Sequence, residues 1–152
     1  MLSARKTMSL LLVCLCVSAT SFAQQTTEVK PRVFGNLPSS ITISESLLQS
    51  FFSLSPSQEI TLDFGSSFTF PCKVLSKQAK FNNLQTVIVK SPSFGNAIFQ
   101  VSRIINDDNS ISYVGRIMNE KAFDGFAIKK GSDGTYKLEK FESGNILDEC
   151  KL

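Results

Sequence analysis

Glu59-Ile60-Thr61-Leu62-Asp63-Phe64-Gly65-Ser66-Ser67-Phe68-Thr69-Phe70-Pro71-Cys72-Lys73-Val74-Leu75 is the stretch that decides the fold class. Ile60, Leu62 and Phe64 fall on one side of an extended chain and Glu59, Thr61 and Asp63 on the other, the period-two pattern of a half-buried strand. Gly65-Ser66 reads as a tight turn. The alternation resumes over Ser67–Leu75 with Phe68, Phe70, Cys72 and Val74 inward. Pro71 has no N–H to give to a ladder, so this strand is expected at a sheet edge or bulged at that point.

The same reading runs downstream. Leu84–Lys90 and Ala97–Ile105 are strands joined through Pro92 and Gly95, and Ile111–Met118 follows the turn Asp107-Asp108-Asn109-Ser110. Ala122–Lys129 and Thr135–Phe141 form a hairpin around Gly131-Ser132-Asp133-Gly134, where glycine and aspartate accept the positive φ of such turns. Seven short, evenly spaced strands predict an antiparallel meander that curls or closes toward a barrel. Upstream, Ser44–Leu54 is the helix candidate. Ser44 can cap it, Ile43 and Leu48 stand at staple spacing, Leu47, Leu48, Phe51 and Phe52 make an apolar stripe, and Pro56 stops it. The polar side of this helix has no Lys or Arg, which argues for packing on the sheet rather than on a membrane surface. The expected fold is thus mainly β (α+β), with one N-terminal helix packed on an antiparallel meander of about seven strands. Phe34-Gly35-Asn36 recurs as Phe94-Gly95-Asn96, a coincidence that turn chemistry accounts for.

The N-terminal residues read as an export signal. Arg5 and Lys6 precede an apolar run from Met8 to Val17, and Ser21-Phe22-Ala23 supplies the small-x-small pattern of a signal-peptidase site. The run is too short to span a bilayer, which takes about 20 apolar residues. Cleavage between Ala23 and Gln24 is expected. Neither Cys14, after Val13, nor Cys16, after Leu15, has the small preceding residue of a lipoprotein site. The resulting organisation is a signal peptide at 1–23, a polar flexible leader at 24–32 and a single β-rich domain at 33–152. The expected destination is secreted or periplasmic.

Export changes the bookkeeping of charge and cysteine. Removing 23 of 152 residues leaves 129, enough for one core. The chain has 16 Lys+Arg and 13 Asp+Glu, and Arg5 and Lys6 leave with the signal, so the remainder is 14 against 13. A near-neutral domain has no general attraction for nucleic acid. Cys72 and Cys150 remain, and oxidising conditions make their disulfide the natural expectation. It would close a long loop, stabilising by about 4–5 kcal/mol on the chain-entropy account.

There is no histidine, which removes Ser-His and Cys-His pairs, histidine general bases and histidine-ligated metals together. No nucleophile elbow, phosphate loop or dinucleotide fingerprint occurs, and the single Ser-x-x-Lys, Ser3 to Lys6, lies in the signal. Glu59, Asp63 and Asp124 are the acids a glycoside-cleaving pair would draw on, but Glu59 and Asp63 sit on a polar strand face. Asn106-Asp107-Asp108-Asn109 lacks the alternating ligand spacing of a calcium loop and reads as a hairpin turn. Lys73, Lys77 and Lys80 make a modest basic patch beside Phe81 and Tyr113 that the net charge does not extend. Asp124, in the otherwise apolar Phe123-Asp124-Gly125-Phe126, is expected to pair with Arg116 across a hairpin.

The segments Ser112-Tyr-Val-Gly-Arg-Ile117, Asp124-Gly-Phe-Ala-Ile-Lys-Lys130 and Asp133-Gly-Thr-Tyr-Lys-Leu-Glu-Lys140, with the lead-in Phe34-Gly-Asn-Leu-Pro38, resemble uncharacterised exported β-rich proteins of Bacteroidota-like bacteria. The resemblance spans about two thirds of the chain and implies export and a β-rich domain, with no activity and no functional residues. The functional expectation is a secreted, non-catalytic binding or structural module with no cofactor or metal. Its partner would be another exported protein, met through an apolar patch or a free sheet edge. The alternatives are a small barrel carrying an apolar ligand, and a pro-domain or inhibitor of an exported hydrolase.

Overall fold

The computed structural model describes residues 30–65 and 68–142. The expected signal peptide with its Ala23–Gln24 junction, most of the expected leader, the Ser66 turn position and Cys150 lie outside the described residues. In chain order the elements are β1 (Ser40–Ile43), α1 (Glu45–Ser50), a 3₁₀ turn (Phe51–Ser53), β2 (Glu59–Asp63), β3 (Thr69–Phe81), β4 (Leu84–Ser91), a second 3₁₀ turn (Pro92–Phe94), β5 (Ala97–Ile105), β6 (Ile111–Met118), β7 (Asp124–Lys130) and β8 (Tyr136–Glu142). All strands join one antiparallel sheet in the order β1-β8-β7-β6-β5-β4-β3-β2. The meander β2–β8 is the expected one, with β1 added beside β8. Strands β1 and β2, neighbours in sequence, therefore form opposite edges of a curled half-barrel, and α1 bridges them.

The concave side is the core. Phe70, Val74, Val87, Val89, Phe99, Val101, Ile117, Phe126 and Leu138 point inward from six strands and are almost wholly buried. Leu48, Phe51 and Phe52 enter from the helix and its 3₁₀ extension, as the apolar stripe requires. Phe34 enters from the lead-in and stacks on Phe94 with ring centroids 5.5 Å apart. The two Phe-Gly-Asn copies thus meet through their aromatic rings, although their backbones differ. Gly95 and Asn96 take positive φ whereas Gly35 does not. Phe94 also stacks on Phe70 at 5.4 Å, and Phe51 meets Phe99 edge-on at 5.1 Å. Such aromatic pairs add to the transfer free energy of burying the rings.

Local sequence explains where elements begin and stop. The Ser44 hydroxyl accepts the Leu47 N–H at 3.2 Å, the expected cap. The helix is shorter than expected because the chain tightens into 3₁₀ geometry at Phe51, a common way to finish a helix. The Lys77 ammonium then donates to the Phe52 carbonyl. Strand β3 is longer than expected, running on to Phe81. Register shifts at Leu75 and Lys80 re-phase it, so Lys77 faces the concave side while Ser76 and Gln78 face out.

The expectation of an edge or a bulge at Pro71 is corrected: β3 lies between β4 and β2, and its register shifts fall at Leu75 and Lys80, not at Pro71. Val74 exchanges hydrogen bonds with Ser57 and Gln58, so Val74, and by alternation Cys72 and Phe70, turn their polar backbone groups toward β2. Pro71 turns toward β4, whose last residue, Ser91, lies level with Cys72. The missing N–H faces a place where the ladder has already ended.

Candidate functional site

The convex face carries the first candidate surface. Phe81 stands directly opposite Leu84 across the Asn82-Asn83 hairpin, and Leu84 stands opposite Ile104 on β5. Val114 lies on β6 one inter-residue step further along the same face, opposite Ser102. Phe81 is 68% exposed and Val114 49%, with Leu84 and Ile104 half-buried between them, a row of apolar side chains on the convex face of four strands. A polar waist bounds it, where the Thr86 and Ser102 hydroxyls share a hydrogen bond of 2.8 Å and Gln100 faces Arg116.

The second candidate is a groove at the rim. Glu59, Ile60 and Thr61 of β2, Pro71, Cys72 and Lys73 of β3, and Pro92 and Ser93 of the second 3₁₀ turn line an open space of about 540 Å³. It opens where β4 gives way to the 3₁₀ turn and Pro71 has no ladder partner on that side. Lys73, in the groove wall, lies 3.8 Å from Glu59 and is paired in register with Lys90. Cys72 is only 5% exposed, and burial pushes its thiol up to about 11.

The third is a clasp at the same end. Asp124, 3% exposed, accepts the Val33 N–H on Oδ1 at 2.8 Å and the Phe34 N–H on Oδ2 at 3.0 Å. Phe123 N donates to the Pro31 carbonyl at 2.9 Å, Lys30 donates to the Glu120 carbonyl at 2.8 Å, and Arg32 pairs with Glu142. Residues 30–32, assigned to the leader by composition, are therefore tied to the domain.

The expected Asp124–Arg116 ion pair is corrected by this arrangement. Arg116 stands opposite Ala127, three residues from Asp124 and on the convex side, while Asp124 turns inward. Opposite facing across the sheet excludes the contact, and two backbone N–H groups satisfy the carboxylate instead. The other candidates disperse as well. Glu59 and Asp63 point outward from β2, and Asp63 accepts the Gly65 N–H at 2.8 Å in a local turn. Tyr113 is buried against Tyr136 while Phe81 is outside, so the two do not form one stacking surface beside the lysines. Asn106–Ser110 is a hairpin turn. Asn106 N donates to the Ser110 carbonyl at 2.9 Å, and hydrogen bonds from Ser110 hold the Asp108 carboxyl below its usual range. Among the described residues no cluster of three or more acids and cysteines is placed to hold a metal, and Cys72 has no disulfide partner there.

Fold and surfaces together define a β-rich α+β domain: an antiparallel half-barrel wrapped around a short helix, with a filled concave side and its open features at the rim and on the convex face. Comparison with family models, with curated proteins and with solved structures returns no match.

Proposed function

We propose that this chain is an exported, non-catalytic module that binds another exported protein through the apolar row on its convex face. The observation that carries the reading is the alignment of Phe81, Leu84 and Ile104 directly across three strands, with Phe81 two-thirds exposed. Solvent-facing apolar groups that line up across neighbouring strands mark contact surfaces more often than scattered ones do. The filling of the concave side by Phe34, Phe51, Phe70, Phe99 and Phe126 favours this reading over a carrier of apolar ligands, which needs a cavity of about 300 Å³ or more inside the barrel. The dispersal of Glu59, Asp63 and Asp124 to unrelated surroundings favours binding over carboxylate chemistry. Inhibition of an exported hydrolase would be one form of the same contact. Export also brings the expectation that Cys72 and Cys150 are joined.

The test places a photo-crosslinking residue at Phe81, and in a second protein at Glu139 on a distant strand, and applies both to exported material. A single exported protein captured from Phe81, not from Glu139, and lost in Phe81→Lys/Val114→Glu supports the reading. Capture that is equal from both positions, or unchanged by the double substitution, overturns it.

A further inference from the structure

The two edges of the sheet are guarded differently. On β2 the outer strand carries Glu59 and Asp63 as exposed charges, the usual protection against pairing with another sheet. On β1 there is no such guard. The strand reads Ser40-Ile41-Thr42-Ile43, with no charge and no proline, and Ser40 and Thr42 are exposed. Lys140 N donates to the Ser39 carbonyl at 2.8 Å, so Ser39, and by alternation Ile41 and Ile43, turn their polar main-chain groups toward β8. Ser40 and Thr42 therefore turn their N–H and C=O groups away from the sheet.

The charges beside this edge come from β8. Glu139 stands opposite Ser40 and Lys137 opposite Thr42. On their other side Glu139 faces Ala127, and Lys137 faces Lys129. Like charges directly opposite repel, so Lys129 drives the Lys137 ammonium toward the open edge. Asp133, in the β7–β8 turn, feels the Lys137 charge but accepts its hydrogen bonds from Thr135. Neither Glu139 nor Lys137 has an ion-pair partner among the described residues. Charge then separates the registers in which two such edges could meet about a two-fold axis. Ser40 against Ser40 sets Glu139 in line with Glu139, and Thr42 against Thr42 sets Lys137 in line with Lys137. Centring on Ile41 puts Ser40 against Thr42, and each row then runs Glu139, Ser40, Thr42, Lys137 across the junction. Its two charges are about 14 Å apart at Cα, three strand spacings, with only the short Ser40 and Thr42 side chains between them.

We propose that two copies of the chain join along β1 in this register, Ile41 on Ile41, into one continuous antiparallel sheet. Ser40 and Thr42 exchange main-chain hydrogen bonds in both halves of the junction, and the Glu139–Lys137 rows flank it. On the concave side the buried row Leu138–Ile41 continues into its copy. A four-residue strand buries far less than the roughly 1,200 Å² of a stable interface, so the pair is weak and reversible. The Phe81 row stays open in both copies, and the pairing is independent of the function proposed for it.

The test follows the product of the full coding sequence by sedimentation equilibrium, from micromolar to near-millimolar concentration, with reductant present so that no intermolecular disulfide contributes. A monomer–dimer equilibrium is expected, with amide exchange at Ser40 and Thr42 slowing as concentration rises. Glu139→Lys is expected to weaken the dimer about tenfold at low salt, and Lys137→Glu likewise. Combining the two should restore it to within about twofold, because every row again joins opposite charges. Thr42→Pro removes an outward donor without touching the β8 ladder, and should abolish pairing with the far-UV circular dichroism unchanged. Should that variant unfold, the charge swap decides. A monomer at every concentration, single variants paired as strongly as the wild type, or a combined variant no tighter than the single ones would overturn the proposal. So would loss of the dimer in Phe81→Lys/Val114→Glu, which would move the contact to the convex face. Crosslinks through β1 return this chain itself and those through Phe81 another protein, so the two readings fail separately.

Discussion

The Oδ2 atom of Asp124 accepts the backbone N–H of Phe34 at 3.0 Å, across a separation of 90 residues in the chain, while Oδ1 takes the Val33 N–H at 2.8 Å. One carboxylate thereby fixes the direction in which the lead-in segment enters the core and delivers the Phe34 ring to Phe94 and Phe126. Asp124→Ala leaves one buried and one half-buried donor without acceptors and is expected to lower stability by about 2–4 kcal/mol. Asp124→Asn keeps the shape but turns an NH₂ toward an N–H, and should lose about 1.5–3 kcal/mol. Urea unfolding of the two variants measures both. A loss within 0.5 kcal/mol of zero, the ordinary range of a surface change, would show that the clasp adds nothing.

Gly125 follows Asp124 and occupies a place with no room for a side chain. A Cβ there would lie 2.5 Å from the Ile117 carbonyl oxygen and 2.7 Å from Cζ of Phe141. The first of these is backbone and cannot swing aside. Gly125→Ala is therefore expected to push β7 away from β6, where the two already share a short ladder, at a cost of about 1–3 kcal/mol. The checking measurement is the thermal midpoint together with amide exchange at Phe126 and Ala127. Unaltered protection of both amides would mean that the sheet absorbs the methyl elsewhere.

Ser91 predicts the opposite sign. It is wholly buried on the concave face of β4, and its hydroxyl has no hydrogen-bond partner among the described residues. An unpaired hydroxyl in such surroundings costs about 1–3 kcal/mol relative to an apolar group of the same size. Ser91→Ala should raise stability by about 1 kcal/mol in a denaturant titration, with the slope against denaturant unchanged. A fall in stability would show that the hydroxyl is hydrogen-bonded in the folded protein.

How much of this was legible depends on whether local pattern or distant contact decides each feature. Strands β5 and β6 coincide with their sequence boundaries because alternation fills them end to end and polar turn residues close them off. The second half of β3 was hidden because Ser76-Lys77-Gln78-Ala79-Lys80 has no apolar alternation and two register shifts break what phase there is. The four residues of β1 offer only Ile41 and Ile43 as inward positions, too few for a period. Asp124 was visible as an acid in apolar company, yet its partners were not. Cross-strand logic looks for a side chain, whereas the actual donors are main-chain groups brought from the other end of the domain. The convex row had a trace in the sequence, since Leu84, Val87, Ile88 and Val89 put apolar residues on both faces of one strand.

Cys72 provides a pH signature that reports its oxidation state. Burial pushes its thiol from 9.0 to about 11, so the folded state holds the proton more tightly than the unfolded chain does. As pH rises past 9 the unfolded state loses that proton first. It then binds fewer protons than the folded state, and the stability of the reduced chain falls with pH until about 11. Tyr113, also raised by burial and by the nearby Glu45 charge, acts in the same direction, so the informative quantity is a difference between proteins. Urea midpoints followed from pH 8 to 10.5 should decline more steeply for the reduced chain than for Cys72→Ala. A chain whose Cys72 is held in a mixed disulfide has no thiol at this position, and it should follow the shallower course of the alanine variant. Parallel courses for reduced and Cys72→Ala proteins would mean that the thiol ionises as readily in the folded domain as in the unfolded chain, and that the floor of the groove is wet.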